Sequence, residues 1–158
     1  LGVPLYKQLG AIRKQMLPLL VAEMAGCVAG VISVVLAARF LGASQEVIMS
    51  LAPKAVTTPI AMEVSNSIGG IPALTAAVVV CTGIFGGMAG FRIIRLGRVN
   101  SPIAKGLSMG TAAHAMGTSA AMELSERYGA FSSLGLTING LLTAILAPLI
   151  LHLIGYTI

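Results

Sequence analysis

Charge is scarce in this sequence. Only 9% of its residues are charged, where a soluble domain carries about 25%. With 56% hydrophobic residues and a mean hydropathy of +0.95, that scarcity implies that most of the surface faces lipid rather than water. Tryptophan is absent and tyrosine occurs three times, so the aromatic belt that marks the ends of many membrane spans is thin. Cys27 and Cys81 both lie inside apolar runs. A disulfide framework or a zinc site would need clustered Cys or His, and neither cluster exists. Also missing are a nucleophile with a base at a recognised spacing, metal-ligand spacing and a phosphate-binding glycine loop, which leaves no basis for an enzyme or a cofactor. The net charge of +5 is no nucleic-acid signature. The basic residues sit at the ends of apolar stretches with no aromatic interleaving, as topology signals do.

What is present is long apolar stretches and much glycine, 19 residues, as expected where membrane helices pack backbone to backbone. After a basic lead-in with Lys7, Arg13 and Lys14, residues 16–41 are long enough to span a bilayer, interrupted by Glu23; about 20 residues suffice. Gly42-Ala43-Ser44 reads as a turn with Ser44 as N-cap. Residues 46–70 hold Pro53, Lys54, Thr57, Thr58, Pro59, Glu63, Ser65, Asn66, Gly69 and Gly70. Two prolines and several polar groups argue against a plain lipid-facing helix and for a broken or re-entrant element buried in protein. Residues 72–91 return to an apolar span. A basic connector follows, with Arg92, Arg95, Arg98 and Lys105. Residues 106–128 form a second small-residue-rich element with His114, Gly117, Thr118, Glu123, Glu126 and Arg127, and residues 130–157 form a last span containing Asn139 and Pro148, the latter expected to kink it. The chain opens Leu1-Gly2-Val3-Pro4, without initiator Met or a signal-peptide n-region. It reads as a fragment whose earlier part has been cut away.

Shifted by 60 positions, the sequence partly overlays itself. Ala61, Met62, Glu63, Ser65, Gly69 and Leu74 recur as Ala121, Met122, Glu123, Ser125, Gly129 and Leu134. Upstream, Thr58 pairs with Thr118, Ala55 with Ala115 and Ala52 with Ala112, and Lys54 falls opposite His114. Gly26, Ala29 and Gly30 match Gly86, Ala89 and Gly90. The expected unit is a spanning helix followed by a polar, broken element. Unit one covers about 16–75 and unit two about 76–135, within a single membrane domain over 1–158 that closes with a final helix at about 130–157. Charge sets the geometry. The positive-inside rule puts both the start of the first span and the 92–105 connector in the cytoplasm. It holds if 46–70 enters and leaves on one face, so that the two units are inverted.

Lys54 is the strongest candidate, because an ammonium within a membrane segment faces a cavity or a partner. It either attracts a substrate carboxylate, or snorkels to the interface or pairs with Glu63 or Glu46. Thr57 and Thr58 bind substrate or cap a helix broken at Pro53 and Pro59. Glu63 and Glu123 carry a coupling proton or serve in structural pairing. Gly69 and Gly70 make a tight turn. His114, with Gly117 and Thr118 close by, binds an anion, relays a proton or is a hydrogen-bonded structural histidine. Asn139 joins the last helix to a neighbour.

The segments LAPKAVTTPIAMEVSNSIGGIPALTA (51–76) and KGLSMGTAAHAMGTSAAMELSERYGAFSSL (105–134), with the opening VPLYKQL (3–9), closely resemble the LrgB/CidB family of membrane proteins, end to end. That family includes the plant chloroplast glycolate/glycerate translocator, and its members are longer at the N-terminus. The resemblance implies two functions. Some members are carriers of small carboxylates such as glycolate, glycerate or pyruvate. Bacterial members are called antiholin-like, regulating murein hydrolase export and lysis with a small LrgA/CidA-type membrane partner. The residues favour the carrier, since a cation and a histidine at repeat-related positions suit a small organic anion. The expectation is an all-α multi-pass integral membrane bundle of the cell inner (plasma) membrane, with three spanning helices and two broken or re-entrant elements. Its midplane site for a small monocarboxylate is formed by Lys54, Thr57, Thr58, His114, Gly117 and Thr118. Transport is proton-coupled through Glu63 or Glu123 in one version of this reading. A homo-oligomer is compatible with the sequence, and nucleic acid is not a partner.

Overall fold

In the computed structural model, residues 6, 8, 10 and 12–156 are described. Lys7 of the basic lead-in and position 157 of the expected last span lie outside them. The described chain is all-helical: α1 (Met16–Phe40), α2 (Gln45–Leu51), α3 (Thr58–Ser67), α4 (Pro72–Leu96), α5 (Pro102–Leu124) and α6 (Glu126–Leu153). Helices α1, α4 and α6 are long and apolar enough to cross a membrane. They are the expected spans, with two shifts. Arg92 and Arg95 belong to the end of α4 rather than to a connector, and α6 starts at Glu126 directly after Ser125, whose hydroxyl accepts from Arg127 N–H. These helices hide only part of their surface from one another: Leu17, Phe40, Phe85, Met88, Leu141 and Leu153 are exposed large apolar side chains, as lipid contact allows.

Two apolar clusters place the helix ends. Val35 and Ala38 of α1 pack with Ile48 and Met49 of α2, Val64 of α3, Ile68 just beyond it, and Ala147 and Leu151 of α6. Ile12 and Leu19 pack with Leu107 of α5 and Phe131 of α6 at the other end. Helices α1 and α6 therefore run in the same direction. Helix α4 runs against them. Its first turn is tied to α2, where Ile71 N–H donates to Ser50 Oγ and Thr75 Oγ1 donates to the Ser50 carbonyl and to Ser65 Oγ. At its far end Phe91 stacks on Tyr128 of α6 with ring centroids 5.7 Å apart.

The two polar segments are both interrupted. Residues 52–57 separate α2 from α3, and Ala113 and His114 inside α5 have non-helical backbone angles. Around the first interruption, Met49 and Ile68 share the cluster at one end of the bundle, while Val56 between them forms a separate cluster with Ala61 and with Val79, two turns into α4. Around the second, Lys105 and Leu124 from the two ends of α5 line one surface recess with Arg95 and Tyr128. A side chain at Gly117 would collide with the Met109 carbonyl and Ala113, so the two halves of α5 lie against each other. Gly106 and Gly110 press α5 onto α6: a Cβ at Gly110 would meet the Ser132 carbonyl and the Leu136 amide. This is the small-residue packing by which membrane helices associate through van der Waals contact.

Candidate functional site

The interruptions release backbone carbonyls that a continuous helix would satisfy, and inside a bilayer these need other donors. Asn139 supplies them. Its Nδ2 donates to the Ala55 carbonyl in the first interruption and to the Thr111 carbonyl just before the second, at 3.1 and 3.0 Å. Asn139 thus joins the last helix to its neighbours, as expected, and it does so at both breaks. His114 has φ 42° and ψ −130°, close to the first central position of a type II′ turn, where glycine dominates. Its Nε2 donates to the Val79 carbonyl at 3.0 Å, which makes Nε2 the protonated nitrogen. Val79 also shares an apolar cluster with Val56, so both interruptions come to the same stretch in the first half of α4. Thr118 Oγ1 donates to the His114 carbonyl at 2.9 Å and shares a hydrogen bond with Ser132 Oγ at 3.0 Å.

Beside these breaks lies a cavity of about 340 Å³, within the range of small-molecule sites, about 300–1,000 Å³. Glu23, Gly26 and Cys27 line it from α1, Lys54 and Ala55 from the first interruption, Ser108 and Thr111 from α5, and Asn139 and Thr143 from α6. Lys54 is half-buried, next to fully buried Pro53. Its ammonium is in no ion pair with a described residue, Glu63 and Glu46 included. Glu23 is 1% exposed and accepts a 2.6 Å hydrogen bond from Thr111 Oγ1 through Oε1. Cys27 Sγ shares a hydrogen bond with Thr143 Oγ1 at 3.4 Å. Among the described residues, no three His, Cys, Asp or Glu side chains gather as metal ligands.

The other residues singled out in the sequence sit elsewhere. Thr57 is the N-cap position of α3 and makes no side-chain capping bond; Thr58 begins that helix, and Pro59 lies in its first turn. Neither threonine lines the cavity, nor do His114, Gly117 and Thr118, which form the buried turn of α5 behind it. Glu63 and Glu123 are exposed, Glu123 at a recess between α4 and the second half of α5. Gly69 takes φ 81° at the end of α3, and the Gly70 amide bonds the Ser65 carbonyl. Sequence reasoning missed Glu23, Ser108 and Thr111 as cavity residues. For Glu23 the signal was there: a lone carboxylate in an apolar span marks a functional position by default.

With the site in view, the comparisons with known proteins identify the family. The model of the LrgB-like family matches residues 1–153. The antiholin-like protein LrgB of Bacillus cereus (strain B4264) is 37% identical over 154 residues, which cover 98% of this chain and 67% of that protein. The antiholin-like protein LrgB of Bacillus anthracis (strain A0248) shows the same identity and coverage. No solved structure matches. The chain belongs to the LrgB-like family and is a multi-pass membrane protein.

Proposed function

We propose that this chain forms the substrate path of a membrane carrier for small monocarboxylates such as glycolate, glycerate or pyruvate. One observation carries the reading: the Lys54 ammonium, at a helix interruption in the bundle interior, lines a cavity and has no ionic partner within the described chain. An unpaired cation there is costly unless an anion visits it. Hydroxyls of Ser108 and Thr111 share the cavity wall, and Thr57 and Thr58 flank the same interruption.

The architecture we infer is an inverted repeat, with units at about 16–75 and 76–135 and a closing helix at about 130–157. Each unit ends in a re-entrant hairpin. Three facts support it. The break at 52–57, moved by 60 positions, covers the Ala113–His114 break. The ends of α2 and α3 away from their break share one end of the bundle, and the two ends of α5 share the opposite end. Arg13, Lys14, Arg95, Arg98 and Lys105 gather at the α5 end, whereas Arg39 is at the α2 end, which makes the α5 end cytoplasmic by the positive-inside rule. Broken elements meeting near the midplane are a common transporter design, with substrate at the repeat interface.

The second reading is an antiholin-like regulator of murein hydrolase export and lysis, acting with a small LrgA/CidA-type membrane protein. It is favoured by the names of the relatives, which are antiholin-like proteins and bear on this reading more directly than on transport. Uptake of labelled glycolate and pyruvate into proteoliposomes of the full-length protein separates the two. Saturable uptake that is lost in Lys54→Ala supports the carrier; no uptake by folded protein under any imposed gradient supports the regulator.

A further inference from the structure

We infer that Glu23, Thr111 and Asn139 form a subsite for the monovalent cation, a proton or a sodium ion, that moves with the anion. The inference rests on the carrier reading and adds the residue that couples it. The chain has five acidic side chains. Four of them, Glu46, Glu63, Glu123 and Glu126, are exposed, and Glu23 is buried, two turns into an apolar span. Thr111 Oγ1 occupies Glu23 Oε1 with a hydrogen bond, and Glu23 Oε2 has no partner among the described residues. Asn139, also 1% exposed, spends its Nδ2 on the two broken helices and leaves Oδ1 without a partner among the described residues. Both orphaned oxygens are pure acceptors on residues lining one cavity. Buried acceptors without donors are rare and ask for a partner in the cavity, a water, an ion or a proton. Oxygen ligands are what hard cations take, and a proton on the carboxyl would make it a donor.

The packing holds this group in place. A Cβ built on Gly135 would lie 2.9 Å from Glu23 Oε1, 3.1 Å from Thr111 Oγ1 and 2.8 Å from the Leu107 carbonyl. Only glycine lets α6 close on the carboxylate so tightly, and that contact limits how far Glu23 can swing.

The charged or titratable groups lining the cavity are Glu23, Lys54 and Cys27, from α1 and the first interruption; α5 and α6 contribute only the neutral Ser108, Thr111, Asn139 and Thr143 as polar lining. Glu23 and Lys54 are not paired with each other. Lys54 therefore balances one bound anion and Glu23 one bound cation, so the loaded and the empty cavity carry the same zero net charge. Opposite charges held in one low-dielectric space attract, and by linkage each bound ion raises the affinity for the other by the same factor. Movement of one anion with one cation is electroneutral.

The test uses the full-length protein in proteoliposomes and asks two questions of the same vesicles. Wild type should accumulate labelled substrate about tenfold under a tenfold gradient of either protons or sodium, the driving gradient naming the cation and each tenfold being 1.4 kcal/mol. Glu23→Gln, which is neutral at all times, should lose the accumulation by a much larger factor than gradient-free exchange of labelled for unlabelled substrate, so that the ratio of accumulation to exchange falls at least about tenfold. Accumulation by Glu23→Gln equal to wild type overturns the inference, as does loss of exchange and accumulation by the same factor in a variant that melts like wild type. A wild type that neither exchanges nor accumulates defeats the carrier reading instead. The subsite is then read without substrate. Sodium or acidification should raise the melting temperature of the detergent-solubilised wild type and leave Glu23→Gln unmoved; equal responses in both overturn it.

Discussion

Asn139 and Ala55, 84 positions apart, are joined by a 3.1 Å hydrogen bond that ties the last helix to the first helix interruption. The second amide hydrogen of Asn139 goes to Thr111, so one side chain braces both breaks. Removing it leaves two carbonyls unsatisfied in a medium without water. Interhelical hydrogen bonds in membranes are each worth about 0.6 kcal/mol, up to about 1.7, so Asn139→Leu should destabilise the bundle by about 1–3 kcal/mol. Thermal unfolding in detergent measures it, and a melting temperature equal to wild type would sink this account of the breaks.

Glycine in the contact of α5 with α6 should be far less replaceable than Gly30 of α1, which faces the cavity. A Cβ on Gly110 would meet backbone atoms of Ser132 and Leu136, which cannot swing aside, whereas one on Gly30 would meet nothing within 4 Å. Gly110→Val should lower folded yield and cost more than the roughly 1–3 kcal/mol of ordinary overpacking. Gly30→Ala should behave as wild type by size-exclusion profile and melting temperature.

Residue 114 combines a strained backbone with a side-chain bond, and two variants separate them. His114→Gly relieves the φ of 42° and loses the bond to Val79. His114→Val loses the bond and keeps the strain. The valine variant should be the less stable of the two by about 1–3 kcal/mol, the usual cost of such backbone strain. Equal melting temperatures would show that the turn relaxes when the imidazole is removed.

Single cysteines report the topology directly. With Cys27 and Cys81 replaced by Ser, cysteines introduced at Ala43 and at Gly97 should label from opposite sides of the membrane. Labelling of both from one side contradicts the re-entrant assignment of 46–70, because a single crossing there would bring the end of α4 to the face where α1 ends.

The legible parts of this protein are those written locally. Residues 16–41, 72–91 and 130–157 were readable as spans because length and apolar content decide whether a helix can sit in lipid, and α1, α4 and α6 fall there within a few residues. Pro53 and Thr57 through Pro59 marked the first interruption in advance, and the 60-position register put His114 opposite Lys54 before either was seen at a break. The cavity wall was legible only at Lys54.

Sequence alone therefore determined that the chain lives in a membrane and where its three long helices lie, since these follow from transfer energetics and the length of apolar runs. Tertiary structure alone decided which face of α1 turns inward. That helix is apolar nearly all round, so nothing in its pattern aims Glu23 at Thr111, 88 positions away, or sets both beside Asn139. Their meeting depends on how closely Gly110 and Gly135 let the helices approach, a distance fixed by packing among segments far apart in the chain.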